Sequence, residues 1–255
     1  MNQHLFILAE SRCGSTWLQE TLNSHSDITM ETELLNPHHR IERYSAFLQR
    51  LHKINPLIKK LINRTICINN VEELKKELKK HETKYSGCKI LFRQLLKQYY
   101  TNNSINMSSQ FFHHFPECRI IFLERKNILK AETSMAMCAK YNLFHTTKNV
   151  KETGSVYLNP VFLYKRLELR QAYKNTTRTL LSKLQIPTIS TSYEDMFGNP
   201  QDFLDKASKF LDIQSEWKYS QLKKIAKRPL SEYVENWHEI RNFLKGTPHE
   251  EFCTE

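Results

Sequence analysis

The amino-acid sequence predicts an α/β fold in which a central parallel sheet carries helices on both faces. Four short, continuous apolar runs have the character of strands buried on both sides, and helical patterns separate them along the chain. Alternation of strands with helices favours a parallel sheet. The length of 255 residues, with 14 Phe, 11 Tyr and 3 Trp to build a core, suits a single domain over residues 1–255.

Each element follows from its local pattern. The predicted strands cover residues 4–9, 88–92, 119–124 and 187–191. The predicted helices cover residues 15–24, 71–82, 127–140, 157–184, 200–212 and 235–245. Pro160 and Pro200 suit the first turns of their helices, and Gly246 suits the end of the last helix. Residues 36–85, which include a basic helical stretch, are a candidate cap insertion over a site.

Composition excludes several classes of protein. With only 5 Gly and 8 Pro, the chain is neither collagen-like nor of low complexity. The N-terminal apolar run is far too short to span a membrane and lacks the flanks of a signal peptide. Six cysteines without a C-x-x-C pair favour free thiols in a reducing compartment. We therefore expect a soluble, cytoplasmic protein without a membrane span, and its oligomeric state is not indicated.

The positive charge of the chain has two interpretations. The formal net charge is +11, and a Lys-rich helix near residues 72–84 accounts for part of it as solvated surface. The remainder suits an anionic partner such as nucleic acid, an acidic membrane surface or a small phosphorylated ligand. No nucleic-acid recognition motif accompanies the charge, so a nucleic-acid-binding module is only a remote alternative.

The loop after the first predicted strand is a candidate anion site. The strand ends near Ala9 and a helix begins near Ser15, so backbone N–H groups and the helix dipole converge on one spot. Gly14 allows close backbone approach, Arg12 adds a fixed cation, and Ser15 and Thr16 offer hydroxyl groups. A capped helix with no ligand is the alternative interpretation of the same residues.

Two better-known loops do not match. A nucleotide triphosphatase loop needs the pattern G-x-x-x-x-G-K-(S/T), and Gly14 has neither a partner glycine nor a following lysine. This absence speaks against the second function considered, a kinase-like P-loop transferase. A thiol phosphatase would need an arginine six residues after Cys13, where the chain has Gln19. Cys13 is therefore not expected to be a nucleophile.

The segment S-R-C-G-S-T-W-L resembles the 5′-phosphosulfate loop of sulfotransferases that use 3′-phosphoadenylyl sulfate, PAPS. That loop typically has the pattern P-(K/R)-(S/T)-G-(S/T)-T-W-L, so Ser11 replaces the usual proline. The resemblance implies a P-loop-like three-layer fold, PAPS as sulfuryl donor, the 3′,5′-bisphosphate PAP as product, and no metal. It assigns the whole loop to donor binding, namely Arg12, Cys13, Gly14, Ser15, Thr16 and Trp17.

Further segments agree with this resemblance in order along the chain. Arg125 ends a predicted strand and Ser134 follows nine residues later, a spacing that is similar to the family's 3′-phosphate site. Thr133 follows eight residues after Arg125, so the assignment of the hydroxyl group stays open. The Y-E-D-M segment implies that Tyr193 lies near the adenine. The closing segment, from Arg228 onwards, looks like that of bacterial members and would supply a last cation.

The same resemblance indicates a general base. The stretch E-L-L-N is similar to a segment of nodulation-type sulfotransferases, and this register selects Glu33, with Glu31 and His25 as alternatives. Lys89 lies within a strand that is otherwise apolar, so it either faces the sulfuryl group or pairs with a carboxylate. The predicted catalytic set is therefore Glu33, Lys89 and Arg12. The implied acceptor is a small molecule with a hydroxyl group, either a secondary metabolite or a carbohydrate, and a nitrogen acceptor is not excluded.

Overall fold

The protein is described by a computed structural model over residues 3–35, 70–97, 111–147, 154–223 and 228–254. Its centre is a five-stranded sheet in the order β2-β3-β1-β4-β5, and every neighbouring pair is parallel. The strands are β1 (Gln3–Ala9), β2 (Ile28–Glu31), β3 (Tyr85–Leu91), β4 (Arg119–Glu124) and β5 (Thr188–Ser192). The predicted α/β fold with a parallel sheet is confirmed.

Helices connect the strands and cover both faces of the sheet. In chain order the described helices are α1 (Ser15–Leu22), α2 (Asn70–Leu78), α3 (Phe92–Lys97), α4 (Ile128–Tyr141), α5 (Pro160–Lys183), α6 (Tyr193–Gly198), α7 (Pro200–Leu211), α8 (Leu230–Tyr233) and α9 (Trp237–Leu244). A 3₁₀ turn, Glu250–Cys253, follows them. Pro160 and Pro200 occupy first turns, as predicted, because a helix start needs no N–H from its first residues.

Two strands differ from the prediction by more than one residue. The β2 strand was not predicted, because it has only four residues, lies at the sheet edge and has alternate residues only partly buried. The β3 strand begins at Tyr85 rather than at residue 88, since Ser86 and Gly87 are small enough to be buried despite their low hydrophobicity. At Gly87 a Cβ atom would lie 1.5 Å from the carbonyl oxygen of Leu5, so only glycine fits there.

Alternate residues of the central strand enter opposite layers of the core. Phe6 and Leu8 of β1 belong to a cluster that includes Leu74 and Leu78 of α2. Ile7 of the same strand belongs to the cluster on the other face. The sheet is therefore buried on both sides, which is the physical reason for its continuous apolar strands. Residues 36–69 of the candidate cap insertion lie outside the described residues.

The topology places several loops at one edge of the sheet. The β1, β3, β4 and β5 strands all end there, and α1, α3, α4 and α6 begin within a few residues of those ends. The connection after β1 leads to β2 on one side of the sheet, and the connection after β4 leads to β5 on the other side. Their divergence between the neighbouring strands β1 and β4 creates the crevice where open α/β sheets bind ligands. Among the described helices, none is both long enough and apolar enough to cross a bilayer. The five described cysteines are free thiols.

Candidate active site

A cleft of about 340 Å³ opens at the carboxyl edge of the sheet. It brings together ten of the twelve residues predicted from the sequence, although they come from five separate segments. They are Arg12, Gly14, Ser15, Thr16, Trp17, Glu33, Lys89, Arg125, Ser134 and Tyr193.

The loop from β1 to α1 has an unusual backbone. Gly14 is the N-cap residue of α1 and has a φ of 81°, in the left-handed region that glycine adopts without strain. A Cβ atom at Gly14 would lie 2.9 Å from Phe197 and 3.0 Å from Tyr193. Arg12 also has a positive φ, of 66°. Because glycine has no side chain to cap α1, the backbone at this helix start faces the cleft directly.

Arg12 connects this loop to the second predicted anion site. Its Nε donates to Oγ of Ser134 at 3.1 Å, and its Nη1 donates to the carbonyl oxygen of Phe144 at 2.9 Å. In turn, Nη1 of Arg125 donates to the carbonyl oxygen of Arg12 at 2.8 Å. The two arginines and the serine thus form one continuous group across the cleft wall.

Arg125 is a desolvated cation beside the cleft. Only 8% of the residue is exposed, and burial lowers the pKa of its guanidinium. The guanidinium stacks 4.5 Å from the ring of Tyr193, and its Nε lies 3.8 Å from a carboxylate oxygen of Glu194. Within the described residues, this Nε has no hydrogen-bond partner. A buried donor that is left unpaired is costly, so the site suits an anionic ligand.

Lys89 and Glu33 face each other on the opposite side of the cleft. Nζ of Lys89 donates to Oγ1 of Thr16 at 3.0 Å and lies 3.3 Å from Oε1 of Glu33. The Nε2 group of Gln94 donates to Oε2 of Glu33 at 2.9 Å, and Gln94 is itself held by the backbone N–H of Leu91. Lys89 thus pairs with a carboxylate, as one interpretation expected, and it also lines the cleft.

The alternatives to Glu33 lie elsewhere. Glu31 pairs with Nε2 of His81 at 3.2 Å. Both ring nitrogens of His25 are engaged: Nε2 is 3.0 Å from the carbonyl oxygen of Gln214, and Nδ1 accepts from the N–H of Asp27 at 3.1 Å. Neither residue is among the described residues that line the cleft. Of the three candidates for the base, Glu33 is therefore the one that lines the cleft within the described residues.

The structure also distinguishes between Ser134 and Thr133, the two candidate hydroxyl groups at the second anion site. Ser134 lines the cleft and accepts from Arg12. Thr133 is buried, and within the described residues its hydroxyl has no hydrogen-bond partner. Thr133 is not among the described residues that line the cleft. Ser134 is thus the better placed of the two for an anion.

Two predicted donor-binding residues do not line the cleft within the described part of the chain. Cys13 is fully buried, its thiol lies 2.7 Å from the carbonyl oxygen of Glu10, and burial raises the pKa of the thiol to about 11. Such a thiol stays protonated at neutral pH, which agrees with its dismissal as a nucleophile. Arg228 stacks 4.6 Å from the ring of Tyr233 and pairs with Glu232 at 3.4 Å.

An aromatic group lies at one end of the cleft. Phe197 is 4.5 Å from Tyr193 and 5.1 Å from Trp17, measured between ring centroids, and all three residues line the cleft. The sequence predicted Tyr193 and Trp17 but missed Phe197. Its place four residues after Tyr193, one helical turn along α6, is the signal that could have identified it.

Sequence reasoning also missed several ionisable residues of the cleft. Arg93, Arg166 and His145 line it, and none belongs to a motif. His145 lies in the loop after α4, where burial and the nearby charges of Arg12 and Lys89 lower its pKa. No local pattern marks these residues, because their neighbours in space are distant in the sequence. In the described part of the chain, no group of three His, Cys, Asp or Glu residues is arranged to hold a metal ion.

Comparison with known proteins decides the family. The model of the Sulfotransferase family matches residues 4–218. The chain belongs to the sulfotransferase family. Its match covers the two anion sites, Glu33 and Lys89, and it ends before Arg228.

One of two similar solved structures agrees in fold. The chain is similar to the sulfotransferase domain from the curacin biosynthetic pathway, with a TM-score of 0.52 and 17% identity over 85% of this chain and 76% of that one. A sulfotransferase from Alicyclobacillus acidocaldarius aligns over 99% of this chain and 94% of its own, with a TM-score of 0.48 and 12% identity. No curated protein matches the sequence significantly.

Proposed function

We propose that the protein is a PAPS-dependent sulfotransferase that transfers a sulfuryl group to a hydroxyl of a small acceptor, with Glu33 as general base. The observation that carries this proposal is the pair of joined anion sites. Arg12 at the start of α1 is hydrogen-bonded to Ser134 and to Arg125, so the positions for a 5′-phosphosulfate and a 3′-phosphate form one surface. A 3′-phosphate is the group that separates PAPS from ATP.

The charges along the cleft fit this donor. PAPS carries about four negative charges, close to two of them on its 3′-phosphate. The cleft offers the cations Arg12, Arg125 and Lys89 together with the N-terminus of α1. The Nε of Arg125, which has no hydrogen-bond partner among the described residues, and the aromatic rings of Tyr193 and Trp17 suit a phosphorylated adenosine.

The residues divide the chemistry between them. PAPS supplies an activated sulfuryl group, whose transfer forms an acceptor O–S bond and breaks the bond to the phosphate oxygen. Backbone N–H groups at the start of α1, with Arg12, stabilise the negative charge that develops on the leaving phosphate. Lys89, which donates to Thr16 and lies 3.3 Å from Glu33, would supply a further cation for that charge. Glu33 accepts the proton that leaves the acceptor hydroxyl.

The hydrogen bond from Gln94 supports this role of Glu33. It holds one carboxylate oxygen at 2.9 Å while the other faces Lys89, so the carboxylate has a fixed orientation. A preoriented base needs little rearrangement when the acceptor binds. The acceptor class, a secondary metabolite or a carbohydrate met in the cytoplasm, rests on the family resemblance. We expect no metal requirement and no nucleic-acid partner.

A transfer assay tests the proposal. Radiolabelled PAPS is incubated with metabolite extracts, and labelled products are separated by chromatography. We expect sulfated products with the wild type, and a loss of about 100-fold or more in rate with Glu33→Gln, as for removal of a general base. The variant should bind 3′,5′-ADP with unchanged affinity, because Gln keeps the size of the side chain. Loss of binding together with loss of activity would show that Glu33 shapes the donor site instead.

A further inference from the structure

A buried ionic cluster lies behind the phosphosulfate loop. Arg170 of α5 is only 4% exposed, and its Nη1 donates to Oε2 of Glu10 at 2.8 Å. Its Nε makes a short hydrogen bond to Oε1 of Glu132, on α4. Both carboxylates are themselves buried. One guanidinium therefore joins the end of β1 to two helices.

The same guanidinium also holds the backbone of the loop. Its Nη1 donates to the carbonyl oxygen of Ser11 at 3.0 Å, and its Nη2 donates to the hydroxyl oxygen of Ser11 at 3.1 Å. Arg125 holds the next carbonyl oxygen, that of Arg12, at 2.8 Å. Two arginines from different elements thus hold two successive peptide groups of the loop.

The cluster reaches the second anion site as well. Arg166, one turn before Arg170 on α5, lines the cleft and donates from Nε and Nη2 to the two oxygens of Glu132, at 3.2 Å each. Glu132 lies on α4 two residues before Ser134, whose hydroxyl accepts from Arg12. The loop is therefore connected to α4 twice, through Arg12 and Ser134 at the cleft and through Arg170 and Glu132 behind the loop.

The loop needs such support because its conformation is strained. Arg12 has a φ of 66°, and a non-glycine residue in this region costs on the order of 1 kcal/mol or more. The related loops have a proline where this chain has Ser11, and a proline ring fixes φ without any partner. Ser11 lacks that constraint and receives two hydrogen bonds instead.

We propose that Arg170 is a positioning residue that holds Ser11 and Arg12 in the conformation that binds the 5′-phosphate end of the donor. In this chain the hydrogen bonds from Arg170 replace the proline of the related loops. The identity of the ligand rests on the proposed function. Buried ion pairs add little net stability compared with apolar packing, so the gain from this cluster is the fixed geometry of the loop.

Substitution of Arg170 by lysine tests this role. Arg170→Lys keeps the positive charge between Glu10 and Glu132, but one ammonium group cannot reproduce the planar set of donors to Ser11. Affinities for 3′,5′-ADP and for 3′-AMP are measured by calorimetry. We expect 3′,5′-ADP to bind roughly tenfold or more weakly, and 3′-AMP, which lacks the 5′-phosphate, to bind as it does to the wild type. Arg178→Lys, on the same helix and paired with Glu124, is the matched control and should change neither affinity.

A second pair of variants separates positioning from general stabilisation. Ser11→Pro in the Arg170→Lys background should restore part of the lost 3′,5′-ADP affinity, because proline fixes the loop from within. Ser11→Ala removes one acceptor and leaves Arg170 in place. It should weaken 3′,5′-ADP binding about threefold and leave 3′-AMP binding unchanged. This variant tests the same role if Arg170→Lys does not fold.

The outcomes are distinct. Equal loss for 3′,5′-ADP and 3′-AMP, or unchanged binding of both in folded Arg170→Lys, would overturn the positioning role while the proposed function stands. A wild type that binds neither nucleotide would overturn the proposed function, and this role with it.

Discussion

Two of the helices that begin at the cleft, α1 and α4, differ in how their N-termini are used. Each follows a central strand, β1 or β4, by a short loop. The α1 helix starts at Gly14, which has no capping side chain. The α4 helix starts at Asn127, whose side chain accepts a hydrogen bond from the N–H of Lys130. The first helix therefore presents backbone to the cleft, whereas the second satisfies its own terminus and contributes side chains, Arg125 before it and Ser134 within it.

The two sites should therefore differ in what a substitution disrupts. A site made of backbone N–H groups tolerates changes of side chain but needs its backbone conformation, hence Gly14 and the buried supports behind Ser11. A site made of side chains needs particular groups in place. Substitutions should accordingly act through conformation at α1 and through loss of a functional group at α4.

The largest effect is expected at Gly14. Gly14→Ala places a Cβ atom 2.9 Å from Phe197 and 3.0 Å from Tyr193, in a backbone region that favours glycine, so the loop must shift. We expect 3′,5′-ADP to bind about 100-fold or more weakly, as measured by calorimetry. Gly246→Ala is the control, because its φ of 73° is similar but its Cβ would meet no atom within 4 Å. Equal behaviour of the two variants in binding would mean that the loop is not the donor site.

A smaller and more selective effect is expected at Arg125. Arg125→Ala removes the buried guanidinium, and 3′,5′-ADP binding should weaken by roughly 2 kcal/mol or more, as for loss of a charge-assisted hydrogen bond. Binding of 5′-AMP should weaken less, since it lacks the 3′-phosphate and loses only the support that Arg125 gives to the carbonyl oxygen of Arg12. Lys126→Ala is the matched control, because Lys126 pairs with Asp195 and is not among the described residues that line the cleft. If both nucleotides lose affinity equally in Arg125→Ala, the 3′-phosphate site is misplaced.

An effect on stability rather than on donor binding is expected at Glu10, behind α1. Burial raises its pKa to about 7 from the usual 4.5, against the opposing charges of Arg170, Arg93 and Arg166 and with the support of Glu132. The folded protein therefore binds this proton more tightly than the unfolded chain does. Its contribution to stability is complete below pH 4.5 and is lost as the pH rises through about 7.

Glu10→Gln, which mimics the protonated acid, tests this dependence. From pH 5 to pH 8, the free energy of unfolding of the variant should rise relative to the wild type by roughly 2.5 kcal/mol, measured by urea denaturation. Parallel curves for the two proteins would show that Glu10 keeps an ordinary pKa.

The sequence predicted those parts of the molecule that depend on local patterns. The β4 strand has the predicted bounds and β1 differs by one residue, because both are central and apolar throughout. The β2 strand escaped prediction, since four half-buried residues give little pattern. Arg12, Gly14 and Arg125 were found because each lies in a motif directly after a strand.

Contacts between distant segments could not be predicted. The hydrogen bond from Gln94 to Glu33 spans 61 residues, and that from Arg170 to Ser11 spans 159. Such pairs form only when the sheet brings strand ends together, and a single sequence carries no signal for them. For the same reason the sequence could not show that Arg228 stacks on Tyr233.

The central claim, that the two anion sites act together on one 3′-phosphorylated nucleotide, is tested most directly by calorimetric titration of the wild type with 3′,5′-ADP and with 5′-AMP. The account predicts that 3′,5′-ADP binds at least about tenfold more tightly, because only it reaches Arg125 and Ser134 as well as the α1 loop. Equal affinities for the two nucleotides, or no binding of 3′,5′-ADP, would contradict it.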